Sequence, residues 1–220
     1  MPRHFAVTDL ARIAEFVDAA QSATLVTFDG TRPVATLLPV IWERPAELAD
    51  GTWGRLLGHL AVANDQWQTA APGAEALVIV TGPQAYISPS WYESKARHGR
   101  VVPTWNYEVV HLTGAVTFHR DSEWLRDVVT RLTRRHESGR ARPWAVSDAP
   151  PEYVDGQLRA IVGVELTIGS VEAKQKLSQN RSEQDRAGVV AGLRAEDGHH
   201  PGPAAIADLM AAQLTEPEIA

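Results

Sequence analysis

The chain contains no cysteine. That excludes disulfides, thiolate-bound zinc, iron–sulfur clusters and cysteine nucleophiles. Positive charge is also in short supply. Lys and Arg number 21 against 27 Asp and Glu, a formal charge of −6. This balance argues against direct nucleic-acid binding, which leaves a basic footprint, although a local basic patch stays open. No apolar run approaches the roughly 20 residues that span a bilayer. The first residues, MPRHFAVTDL, lack the apolar core of a signal peptide. The expectation is a soluble, cytoplasmic protein with no membrane partner. No Gly-rich phosphate loop, nucleophile elbow or kinase signature is present, and the histidines do not fall at zinc-site spacings.

The 220 residues are 44% hydrophobic, enough apolar material for one large domain or two small ones. Seven tryptophans are many for this length. Trp67, Trp91, Trp105 and Trp144 adjoin Pro, Asn, Gln, Ser or Thr, and Trp42 lies three residues after Pro39. Large rings beside polar turns suit a pocket or an interface, and equally a core.

Periodicity predicts a helix over 9–20 capped by Thr8, with Leu10, Ile13, Ala14, Phe16 and Val17 on its apolar side. Strands are predicted at 23–28, 33–42, 55–60, 76–82, 107–119 and 161–169. The first two join through an Asp29-Gly30 hairpin turn. Gly114 suggests a bulge or bend in the fifth. Asp121 caps a predicted helix at 122–137, and Ser182 one at 182–196. Turns, not helices, join most strands. The expectation is a mainly β fold, an antiparallel barrel with peripheral helices. It occupies residues 1–197, with a linker containing His199 and His200 and a helical tail at 198–220.

Four stretches depart from an ordinary scaffold. GHLAVANDQW (58–67) places His59 among Leu56, Leu60 and Val62. A lone strand histidine is most often a satisfied core residue. The alternatives are a general base, with Asp65 the nearest carboxylate in sequence, and an axial ligand to haem iron. GPQAYISPSWY (82–92) is the second and leads into the third, the loop from Trp91 to Tyr107. Pro89, Gly99 and Pro103 predict that this loop is non-helical. Its Lys95, Arg97, His98 and Arg100 suit an anion and its rings a planar ligand. A solvated basic loop folded over a dimer partner fits equally well. KQKLSQNRS (174–182) offers Lys174, Lys176 and Arg181 to an anion and Gln179 and Asn180 as amides. On composition it is an ordinary polar lead-in to a helix. His111 and His119 share one strand face.

PVATLLP (33–39), GHLAVANDQW, AYISPSWY (85–92), VPTWNY (102–107), RAIVGVE (159–165) and KLSQNRS (176–182) together give a resemblance over nearly the whole chain. The chain resembles the PaiB family of FMN-binding proteins, known as negative transcriptional regulators. The resemblance implies a split barrel of the flavin-reductase type, usually a homodimer with its cofactor at the subunit interface. Under it Thr36, Asn64, Trp67, Thr104, Asn106, Lys176 and Gln179 would contact FMN, with Trp91 and Trp105 beside them.

The chain is also similar to the haem-dependent piperazate synthases, relatives of PaiB. That likeness implies haem b with His59 as its iron ligand, and a small amino-acid substrate, N-hydroxy-L-ornithine, closed through a nitrogen–nitrogen bond. Tyr92 and Lys95 become candidate catalytic or substrate-holding residues, with Arg97 beside them. Four positions depart from the common PaiB pattern: Leu37, Gln84, Asp65 and Gln175 stand where THLP, GPHAY, ANPQW and KWKLSQN have His, His, Pro and Trp. His59 is then the one histidine left in these motifs, which tilts the expectation toward haem.

Overall fold

The computed structural model describes residues 2–46, 51, 53–71, 73–196 and 201–215. Two compact units form. One comprises Met1–Thr8, Thr81–Val109 and Ala173–Ala220, the other Asp9–Val80 and Val110–Glu172. In chain order the regular elements are β1 (Ala6–Val7), α1 (Leu10–Ala20), β2 (Ser22–Phe28), β3 (Pro33–Glu43), β4 (Arg55–Ala61), α2 (Gln66–Thr69), β5 (Glu75–Ile87), α3 (Ser94–His98), β6 (Thr104–His119), α4 (Ser122–Glu137), α5 (Pro151–Arg159), β7 (Ile161–Lys176), α6 (Glu183–Ala195) and α7 (Pro201–Thr215). Among the described residues no helix is long and apolar enough to cross a membrane.

The strands pair in the order β1-β7-β4-β3-β2-β5-β6, and β6 also pairs with β7. That last pairing closes the antiparallel sheet on itself. Period-2 alternation sends Ala23 and Leu25 of β2, Leu56 and Leu60 of β4, and Val162, Val164 and Leu166 of β7 inward, all 4% exposed or less. Each buried Val or Leu contributes roughly 1.5–3 kcal/mol of transfer energy. The space left among Leu25, Leu38, Leu56, Val78 and Leu166 is about 10 Å³. One water needs about that much. The interior is therefore packed, and ligands must bind outside it.

α4 covers the outer face of β4. Leu125, Val128 and Leu132 recur at helical spacing and are buried, and Val128 and Leu132 pack with Leu57. α5 adds Val154 and Leu158 against Leu125. The other unit has its own core. Ala85, Ile87, Tyr92 and Leu177 pack against Val189 and Leu193 of α6 and Ile206 and Met210 of α7. Gly188 and Gly192, one turn apart on α6, form a groove for Trp91. A Cβ at 192 would lie 2.4 Å from the indole, and one at 188 would lie 2.1 Å from the Trp91 carbonyl.

Several expectations need correction. Asp9, not Thr8, caps α1, accepting from the Ala11 and Arg12 N–H groups at 3.0 and 3.3 Å. The hairpin loop has four residues, because Phe28 pairs with Pro33. The Asp29 carboxylate organises it, accepting from the Thr31 hydroxyl and from the Thr31 and Arg32 N–H groups. These bonds, the Thr31 hydroxyl first, hold its pKa down at about 2. The 91–107 stretch is not helix-free: it contains α3, and β6 begins at Thr104. β5 and β7 also run past their predicted ends. Gly114 is no bulge, since alternation continues through it. It is required because a Cβ there would meet the Thr167 carbonyl at 1.9 Å. His199 and His200 lie outside the described residues.

Candidate functional site

His59 sits on β4 directly opposite Gly163 of β7. Paired residues project to the same face, so the space over Gly163 adjoins His59. Trp124, in the first turn of α4, fills that space: a Cβ at 163 would lie 2.1 Å from its ring. On its own part the indole stacks on His119, centroids 4.2 Å apart and 17° from parallel. His119 Nε2 lies 3.3 Å from Glu165, which also pairs with Arg55 at 3.2 Å.

His59 is half-buried, and its Nδ1 is buried without a hydrogen-bond partner. Burial alone pushes the imidazole pKa down. The ring is therefore neutral near pH 7, the form that ligates metals. No carboxylate contributes to that shift, so the general-base reading through Asp65 gains no support.

Beyond β4 the chain turns into α2. Asn64 donates to Thr36 Oγ1 at 2.8 Å and accepts from the Gln66 N–H at 3.0 Å. Gln66, missed in the sequence, is fully buried and donates to Thr27 Oγ1 at 3.0 Å and to the Val34 carbonyl at 3.1 Å. Trp67 donates to the Val62 carbonyl at 3.1 Å, and the Arg120 guanidinium lies 5.3 Å over its ring. Thr36, Asn64 and Trp67 thus come together in one turn, held mainly by each other and the backbone.

The remaining sequence candidates lie in the other unit. Lys176 donates to the Trp105 carbonyl at 2.6 Å and to Thr104 Oγ1. Burial first, then Lys174 and Arg181, push its pKa down. Lys176 is close enough to both Lys174 and Arg181 to feel their charge. Trp105 is 45% exposed and donates to Gln84 at 3.1 Å. Tyr92 is buried under the Arg181 guanidinium, 4.8 Å from its ring, and its hydroxyl has no partner. Lys95 is exposed and donates to Ser90 Oγ at 3.0 Å, and Arg97 pairs with Glu93.

Three of these candidates make contacts within the fold. Asn106 is fully buried and donates to Ser178 Oγ at 3.1 Å and toward the Met210 sulfur at 3.3 Å. Ser178 adopts φ 60° there. Gln179 folds its amide onto its own loop, accepting from the Leu177 N–H at 2.7 Å and donating to the Gln175 carbonyl at 2.6 Å. Trp91 fills the α6 glycine groove. Trp124, Gly163 and Arg120 were not singled out in the sequence. The one available signal was a glycine inside a strand, which marks a close approach.

Comparison with known proteins places this geometry. Residues 1–170 match the family model described as "Putative FMN-binding domain". The chain is 33% identical over 214 residues to the protease synthase and sporulation protein PAI 2 of Bacillus subtilis, covering 97% of each. An FAD and haem binding protein from Mycobacterium smegmatis superposes with a TM-score of 0.56 at 20% identity, covering 83% of this chain and 78% of that one. The flavocytochrome Anf3 from Azotobacter vinelandii gives 0.56 at 16% identity, covering 85% and 78%. Likeness at these identities establishes the fold, the antiparallel split barrel with helices that the sequence led one to expect.

Proposed function

We infer function from one premise: the chain belongs to the PaiB-like family of FMN-binding split-barrel domains. It is a flavin- or haem-binding protein, and we propose that its cofactor is haem b with His59 as the iron ligand. The observation that carries this is the half-buried His59 imidazole, whose buried Nδ1 has no hydrogen-bond partner. A strand histidine serving only the core would be expected to satisfy both nitrogens. A neutral imidazole in apolar surroundings suits iron. The two solved relatives with a matching fold, one described as an FAD and haem binding protein and one as a flavocytochrome, make haem chemistry available to this scaffold.

The proposed reaction closes N-hydroxy-L-ornithine into piperazate. The α-amino nitrogen attacks the hydroxylated side-chain nitrogen. The N–N bond forms as the N–O bond breaks, and the hydroxyl leaves as water with one proton from the attacking α-amino nitrogen, so each nitrogen of the product keeps one hydrogen. The step needs no external oxidant or reductant. Haem, when bound at His59, would supply Lewis-acid chemistry for the departing oxygen. His59 stays uncharged and holds its ring in place. Lys95, Arg97 and Tyr92 remain proposed for the substrate carboxylate. Thr104, Trp105 and Lys176 remain proposed cofactor contacts. We also propose a cytoplasmic homodimer.

The FMN reading has in its favour the FMN-binding family model and the closeness of Lys176 to Lys174 and Arg181, which suits a phosphate. The absorption spectrum of the purified protein and of His59→Ala separates the two. An intense Soret band that disappears in His59→Ala supports haem. Two broad flavin bands that survive the substitution establish FMN and return His59 to the core.

A further inference from the structure

A cleft of about 380 Å³ lies between the start of α4 and the end of α5, lined by Arg120, Ser122, Leu125, Asp155, Leu158 and Arg159. Its floor is apolar. Leu125 and Leu158 are 2% and 4% exposed. Its rim carries two arginines on separate elements. Among the described residues neither Arg120 nor Arg159 has a carboxylate partner, whereas Asp155, on the same cleft, is paired with Arg126. The nearby Asp121 is occupied as well, capping α4 through the Trp124 N–H at 2.8 Å. The net charge left on the cleft is positive, in a chain whose overall charge is −6.

The Arg120 guanidinium carbon lies 5.3 Å over the Trp67 ring. A guanidinium has five N–H donors, enough to hold a ring contact and still meet an oxyanion. Arg159 ends α5, and Ile161, two residues on, pairs with Ala61, the last residue of β4. Just past the strand, the Val62 N–H donates to the carbonyl of Ala160 at 2.8 Å. Ala61 is two residues beyond His59, roughly 7 Å along the strand. One element therefore sets both the imidazole and the rim of the cleft.

We propose that this cleft is an oxyanion subsite for the side arm of the cofactor, taking the carboxylates of a tetrapyrrole held at His59. The inference rests on the cofactor reading above. The apolar floor receives the methylene part of an arm and the arginines its charge. An FMN phosphate offers the same chemistry, and the test separates the two sources.

The test compares haem with its dimethyl ester, by titration at the Soret band, and FMN with riboflavin, by flavin fluorescence. The proteins are wild type, Arg120→Ala, Arg159→Ala, the double Ala variant and the double Lys variant. Both arginines are exposed, so the fold is expected to survive, and circular dichroism checks this. Each charge-assisted contact is set at about tenfold in affinity. Wild type then favours haem over the ester by about 100-fold and each single Ala variant by about tenfold, whereas the double Ala variant shows no preference. The Lys variant keeps most of the preference.

A double Ala variant with the wild-type preference overturns the subsite, even if haem uptake still depends on His59. Uptake of FMN but not haem overturns the haem reading alone. The same variants must then erase the preference for FMN over riboflavin, and an unchanged preference overturns the subsite too. Uptake of neither cofactor overturns both.

Discussion

Gly163 and Trp124 occupy one volume: the ring of the tryptophan stands where a β-carbon at 163 would be, 2.1 Å from it. α4 can lie flat on β4 and β7 because the strand beneath its first turn carries no side chain. Gly163→Ala forces the indole outward and disturbs its stack on His119. A core overpacked by one carbon loses about 1–3 kcal/mol. Urea unfolding is expected to show a lower midpoint with an unchanged slope. A midpoint equal to wild type would mean that the indole moves at no cost.

His59 gives stability a defined pH dependence. Its folded pKa is depressed, and its unfolded value is the ordinary 6.5. Above 6.5 both states are neutral and the group is silent. Below it the unfolded chain takes up the proton first, so stability falls as pH drops from 6.5 toward the folded value. His59→Gln removes this slope. Denaturant midpoints at pH 8 and pH 5.5 are expected to differ more for wild type than for the variant. Equal differences would show that the imidazole is not desolvated.

Asn106 is expected to behave as a structural residue. It is fully buried, and its partner Ser178 is held at φ 60°. Asn106→Ala leaves the Ser178 hydroxyl without that bond and opens a small void, at a cost of about 1–3 kcal/mol. The melting temperature should drop by several degrees. Cofactor affinity of the folded fraction should stay within about twofold of wild type, well under the tenfold that marks a lost direct contact. A large fall in affinity at an unchanged melting temperature would restore Asn106 to the binding set.

α3 is pinned by one carboxylate. Asp185 accepts from both the N–H and the hydroxyl of Ser94, each at 2.8 Å. Burial alone would raise its pKa, but these bonds outweigh burial and hold it low. Asp185→Ala releases the start of a five-residue helix that has little stability of its own. Limited trypsin digestion should then cut sooner at Lys95, Arg97 or Arg100, with the rest of the chain protected. An unchanged cleavage rate would mean that α3 is held by other contacts.

The pattern of what could be read in advance follows from range. α4 was legible because its cap, Asp121, and its stripe of Leu125, Val128 and Leu132 are local signals. The strand cores were legible for the same reason. Strand ends were not: Gly82-Pro83 reads as a stop, yet β5 continues through it because pairing overrides propensity. α5 and α7 both begin at proline, which is favoured in the first turn of a helix but reads as a break. α3 is too short to show a period. At the site, His59 stood out as a lone imidazole. The ring beside it comes from α4 and the gap it fills from β7, and only folding joins such distant positions. Asn106, Gln179 and Trp91 looked like ligand contacts because buried polar scaffolding and binding pockets draw on the same residue types.

The packed interior of the barrel has an evolutionary consequence. With about 10 Å³ free among its inward side chains, the scaffold offers a guest no room inside and depends on none for support. Endurance is written on one side of each strand and recognition on the other. Under the proposed site, outward positions such as His59, Arg120 and Arg159 can change with the cofactor while Leu25, Leu56 and Leu166 keep the barrel packed.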